Sequence, residues 1–389
     1  MASEYEFPAP VGGVPYPIDF WPSILFTILY ALMLPVVIFR MLPPRSRNGV
    51  LISTTVFSLE RVATFCMRAY AAHSASARAN TNLETYLQMS YGGGFSWVGT
   101  DLTYLLRALL VSSTLGGDML ALHKLTPPRL WQAQKRSVGD RDRVSDSNPE
   151  FRLVAGGQDT NGGRCEVRKV DAEASADALS EEGLPDQPLL RRRIRRWSNV
   201  VTLLSVCGMA LSIVAGTIWQ NAIGGSYVDL VRALWYVSTG LAVALLVAMG
   251  LVALIALFKM PRVPRASLHC VILITVLLSI VGVYRITVIG HSTTSLLSTV
   301  PGAQNSMGAK AGFYALHVAP EFLSAAILMG LNVRRVFGTG PWGDHLGRDP
   351  KPKREPTSTR GPGPEGEYET QHEEEEEEWE GRCDGKMQP

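Results

Sequence analysis

Seven stretches of about twenty or more apolar residues, set between polar connections, constrain this chain more than any other feature. A block of that length matches the hydrocarbon core of a bilayer, roughly 30 Å, at about 1.5 Å of helix rise per residue. The blocks are residues 20–42, 50–72, 90–115, 199–219, 230–258, 266–289 and 313–333. A single apolar segment in lipid satisfies its own backbone polar groups only as a helix. The expected fold is therefore all-α, an integral membrane seven-helix bundle. Blocks one, four, five and six are strongly apolar. Blocks two, three and seven carry charges, and Pro35 and Pro320 fall inside blocks one and seven.

Basic residues set the orientation, because connections rich in Lys and Arg stay on the cytosolic side. Arg40, Arg45 and Arg47 mark the end of block one. The connection 116–197 holds fifteen basic residues, ending in Arg191, Arg192, Arg193, Arg195 and Arg196. Lys259, Arg262 and Arg265 follow block five, and Arg334 and Arg335 follow block seven. The alternate connections and their edges carry Arg78, Arg232 and Lys310. This alternation requires seven crossings, with the N-terminus outside and the C-terminus in the cytosol. The first nineteen residues contain Glu4, Glu6 and Asp19 and no Lys or Arg. They lack the basic start of a cleavable signal peptide, so the first block is expected to stay in the mature chain.

This layout divides the chain. Residues 1–19 form an extracellular segment and residues 20–115 carry helices one to three. Residues 116–197 form a cytosolic loop of mixed charge that is expected to be disordered. Residues 198–336 carry helices four to seven, and 337–389 form an acidic, disordered cytosolic tail with a glutamate run at 373–378. Cys66, Cys207 and Cys270 fall in the blocks, and Cys165 and Cys383 in cytosolic segments, so no structural disulfide is expected. Gly208, Ser212 and Gly216, spaced by four, suit a close helix-packing seam. Gly92, Gly93 and Gly94 suit a local kink.

The charges inside the blocks are the candidate site. Glu60, Arg61 and Arg68 lie in block two, Asp101 in block three, Arg285 in block six, and His317 and Glu321 in block seven. Each central charge costs about 2.5–3.5 kcal/mol to insert, so such groups face the bundle, pair, or reach water. Glu60, Thr64 and Arg68 share one helical face, as do His317 and Glu321. Counted by rise, Arg68, Arg285 and His317 fall in the outer third, and Glu60, Arg61, Asp101 and Glu321 nearer the middle. They either line a polar cavity for a small-molecule or lipid ligand or form buried ion pairs. Glu321 is expected to pair with Arg285 or Arg68.

Phosphate-binding loops, zinc motifs and nucleophile elbows are missing from the sequence, so neither an enzyme nor a cofactor or metal is expected. A net charge of +2 does not suggest nucleic acid. The Arg195-Arg196-Trp197-Ser198 stretch looks like a basophilic kinase site, though a membrane-edge anchor explains it better.

Block seven and its exit read Phe313-Tyr314-Ala315-Leu316-His317-Val318-Ala319-Pro320-Glu321, then Asn332-Val333-Arg334-Arg335-Val336-Phe337, then Gly338-Thr339-Gly340-Pro341-Trp342-Gly343-Asp344. Together with the seven-block layout and the long basic second cytosolic loop, this resembles fungal seven-transmembrane proteins labelled family-C-like G-protein-coupled receptors. The resemblance implies a plasma-membrane receptor whose basic inner loops meet a heterotrimeric G protein. A fainter resemblance, carried by Tyr284-Arg285 and Pro320, is to the RTA-like lipid-translocating exporter family. It implies lipid or small-molecule transport or a membrane-stress role.

The topology is open to direct measurement. A tag between His73 and Glu84 is expected to label on intact cells, and a tag in 116–197 or after Asp344 only after permeabilisation. Labelling of both termini from one side would overturn the seven-crossing expectation.

Overall fold

The computed structural model describes residues 2–41, 49–116, 186–300 and 302–339. The rest of the connection 116–197 and all of the tail beyond Thr339, both expected to be disordered, lie outside the described residues. The chain is mostly helical. A strand β1 (Ala2–Pro8) leads into helices α1 (Phe20–Met41), α2 (Ile52–His73), α3 (Thr81–Ser113), α4 (Pro188–Ile223), α5 (Val228–Lys259) and α6 (Arg265–Ile289). A short strand β2 (Ser292–Ser295) follows, then α7 (Met307–Gly330) and a terminal turn of helix, α8 (Val333–Phe337).

Six of these helices, α1, α2 and α4 to α7, are long and apolar enough to cross a membrane. The protein is accordingly a multi-pass membrane protein of all-α type, with one small strand pair among the described residues. The less apolar helix is α3, although its 33 residues exceed what a bilayer needs. Its place in the bundle explains the difference. It packs against α2, α4, α5, α6 and α7. Leu87, Tyr91, Phe95, Val98, Leu102 and Leu106 are buried along its length. A helix sheathed by protein has little outward surface to match to hydrocarbon. By contrast α2 shows lipid-facing periodicity: Ile52, Val56, Leu59, Cys66 and Tyr70 are exposed, while Phe57, Arg61, Phe65 and Arg68 are buried.

The start of α4 differs most from the sequence expectation. Residues 188–197, placed in the disordered loop, form the first turns of α4. Pro188 suits a first helical turn, where its missing N–H costs nothing. Arg191 makes a two-pronged ion pair with Asp186 at 3.0 Å per bond. The N-terminal region also holds more structure than expected. β1 pairs antiparallel with β2, Phe7 opposite Thr293 and Pro8 opposite Ser292.

The small-residue seam of α4 is a point of close helix approach. A methyl group on Gly216 would lie 2.7 Å from Met89 Cγ and 2.9 Å from Met89 Cα. Gly92 faces Ser212 from the α3 side. The three glycines expected to kink α3 sit inside a continuous helix, where Gly92 and Gly94 serve close approach instead. Gly216→Val is expected to lower detergent thermal stability by about 1–3 kcal/mol, since backbone atoms must move apart. Gly240→Ala in α5, where an added methyl group meets nothing within 4 Å, is the control expected to change little.

Candidate functional site

The buried charges form three layers between the two ends of the bundle. The end where α1, α3, α5 and α7 begin is closed by the chain's own N-terminal segment. After β1, residues Val11 to Val14 are buried beneath the connection between α6 and α7. Gln88 holds Val11 from both sides: its Oε1 accepts from Val11 N at 2.8 Å and its Nε2 donates to Val11 O at 3.3 Å. Asn305 Oδ1 accepts from Val14 N at 2.9 Å. Gly12 and Gly13 have φ of 74° and 60°, the left-handed region that disfavours a side chain. A side chain on Gly12 would also strike the Phe313 ring.

Two cations fasten this strap. Arg68 donates to Gly12 O at 2.6 Å and pairs with Asp19 at 3.0 Å. Lys310 donates to Gly12 O at 2.8 Å and Val14 O at 2.6 Å, and pairs with the other Asp19 oxygen at 3.0 Å. All three charged side chains are essentially inaccessible. Charges this deep persist only when paired and hydrogen-bonded. Arg68 therefore pairs with Asp19, not with Glu321 as expected, because the strap delivers a carboxylate to it. Lys310 and Asp19 were not among the candidates. Sequence position placed them in an outer connection and an outer segment.

The middle layer joins four helices. Arg61 Nη2 pairs with Glu321 Oε2 at 2.9 Å, both fully buried. Its Nη1 donates to Ser90 Oγ at 2.6 Å and lies 3.4 Å from Glu60 Oε2. The guanidinium passes close over α3 at Gly94, where even a methyl group would collide with it. The expected Arg285–Glu321 pair is absent among the described residues. Arg285 is turned toward α3 and donates to the backbone carbonyls of Tyr91 and Gly92. Axial counting put the two residues at similar depth but gave no information about their direction around the bundle.

His317 lies on a turn of π-helix, Tyr314–Val318, just before Pro320. Proline has no N–H to continue the α-helical ladder and its ring crowds the carbonyl four residues earlier. A widened turn accommodates both effects, and such turns are frequent at functional sites. The ring packs among Tyr91, Phe313 and Tyr284, with centroids 5.8, 5.4 and 6.0 Å away. His317 Nδ1 is 3.7 Å from Glu321 Oε1. Among the described residues, His317 Nδ1 and Nε2, Glu321 Oε1, Arg285 Nε, Tyr30 Oη and Tyr284 Oη have no hydrogen-bond partner. Buried polar atoms in that number mark a place suited to internal water or a polar ligand.

Asp101 forms the third layer and does a separate job. Its Oδ2 accepts from Thr54 N at 2.7 Å and Thr54 Oγ1 at 2.8 Å. A carboxylate there satisfies an orphan donor in the first turn of α2 and complements the helix dipole. Of the seven candidates, the structure thus brings Arg61, Glu321, His317 and Arg285 together, with Glu60 at their edge. Arg68 belongs to the strap and Asp101 to the start of α2.

Comparison with known proteins gives no match to a family model, a curated protein or a solved structure.

A double-mutant cycle on Arg61→Ala and Glu321→Ala is expected to show strong coupling in detergent thermal stability. Each single change strands a buried charge at a cost of about 3–5 kcal/mol, and the double change costs less than their sum. The same cycle on Arg68→Ala and Glu321→Ala is expected to be additive.

Proposed function

We propose that the chain crosses the membrane seven times, α3 included, with the strap outside, and acts as a receptor-like protein of the plasma membrane. The observation that carries this reading is the junction of α2, α3, α6 and α7 at Arg61, Glu321, His317 and Arg285. Unsatisfied polar atoms and a π-turn meet there, and a polar ligand that satisfies them alters how four helices pack. Two discrete packings of one junction are what a signalling protein needs. At the opposite end, Arg40, Arg191–Arg196, Lys259, Arg262, Arg265, Arg334 and Arg335 gather the basic charge. A basic face there suits a heterotrimeric G protein or another cytosolic partner, and the likeness to family-C-like receptors points the same way.

A second reading is an RTA-like transporter of a lipid or small molecule, or a membrane-stress protein. It is favoured by one observation. Tyr284 packs on His317, Pro320 follows the π-turn that carries it, and Arg285 donates to α3 at Gly92; these are the residues that carry the fainter resemblance.

Purified protein in nanodiscs is expected to accelerate nucleotide exchange on a heterotrimeric G protein in a ligand-dependent way, and Glu321→Gln to change the basal rate. Failure of exchange across a ligand panel, with movement of a substrate by the wild type in proteoliposomes, would replace the receptor reading with the transporter one.

A further inference from the structure

Glu60 faces a cavity. The hollow measures about 180 Å³ and lies where α2 and α4 flank α3. Phe57, Tyr86 and Trp97 supply aromatic walls, Ser90 and Gly93 part of the floor, and exposed Val56 marks an opening on the bundle's side. Glu60 is the one charged residue in its lining. It lies eight residues into α2, about 12 Å from that helix's start, and so at mid-depth.

The carboxylate is fixed in place. Oε1 accepts from Thr64 Oγ1 at 2.5 Å and Tyr86 Oη at 3.4 Å, and Oε2 lies 3.4 Å from Arg61. Arg61 satisfies it only loosely, since the shorter ion pair of that guanidinium, 2.9 Å, goes to Glu321. The Glu60 side chain keeps 30% of its surface open. A carboxylate with such exposure at membrane depth is costly unless a cation reaches it.

We propose that this cavity binds a compact organic ammonium ion, with Glu60 as counter-ion and Tyr86 and Trp97 as its cation–π walls, the Phe57 ring being already covered by Arg61. An ammonium group takes both interactions at once: an ion pair to the carboxylate and attraction to the negative faces of the rings. A neutral alcohol gains neither fully, and an anion is repelled. The volume suits a small amine, and the lateral opening lets its apolar part face hydrocarbon. Occupancy also bears on the junction, because a cation at Glu60 competes with Arg61 and leaves that guanidinium to Glu321. The site stands independently of whether the protein signals or transports.

The test is calorimetric titration of the full chain in nanodiscs with hexylammonium, hexanol and hexanoate as probes. Hexylammonium is expected to bind saturably. Glu60→Gln, which keeps the Thr64 and Tyr86 hydrogen bonds but removes the charge, is expected to weaken it by about tenfold or more. Gly93→Leu is expected to do the same by filling the hollow. A methyl group on Gly93 meets only Met209 and Trp97, at ordinary contact distances of 3.6 Å, so a side chain there has room to start. Any hexanol binding, for instance in the apolar groove of about 660 Å³ between α5 and α6, is expected to be unchanged by both substitutions. Hexylammonium affinity unaltered by Glu60→Gln, or by Gly93→Leu should the glutamine variant fail to fold, would overturn the proposal.

Discussion

The ion pair between Arg61 and Glu321 governs the middle of this bundle. It ties α2 to α7 across α3, and several local features follow from the room and polarity it demands. Gly94 bears no side chain because the guanidinium lies against it. Ser90 accepts from Nη1, and Glu60 takes part of the charge. Tyr30 and Phe57 close the site from the α1 side, their rings 6.0 Å apart and edge to face. An unpaired charge at this depth is prohibitive, so α2 and α7 hold each other's depth as firmly as any apolar contact would. Removing either partner strands the other, so the pair fixes arrangement whatever its net contribution to stability.

The helices were legible in the sequence because lipid imposes a one-dimensional demand, a run of apolar residues of known length. Six helices extend beyond their apolar blocks, by nine residues at the start of α3 and eleven at the start of α4. Hydropathy marks the part of a helix that lipid sees, not where its hydrogen bonding begins. The small-residue seam on α4 was legible for a related reason, since spacing of four repeats on one face.

The pairing of the charges was not legible. Rise per residue gives depth, and depth alone made Arg285 and Arg68 reasonable partners for Glu321. Direction around the bundle depends on how each helix is rotated, and the π-turn before Pro320 shifts the register of everything after it in α7. The buried strap was less legible still. Residues 9–16 show neither helical nor strand periodicity, and their burial depends on partners from 55 to 298 positions away. The traces they left were Gly12-Gly13 between two valines and a lone Asp19 at the start of an apolar helix. A carboxylate there, with no basic neighbour in sequence, required a cation from elsewhere.

The strap carries a consequence for how the molecule assembles. Its contacts join residues at the extreme of sequence separation: Gly12 with Lys310, and Val14 with Asn305. Neither partner is in place until α6, the connection after it and the start of α7 have been synthesised. Contacts so distant pay their loop-closure entropy before they return anything. The residues made first at this site are therefore the last to settle, and during synthesis the bundle's mouth stands open with Gly12 and Val14 lacking Lys310 and Asn305. Closure of that mouth reports that the last long helix has arrived, so a chain truncated before α7 would announce itself by a loose N-terminus.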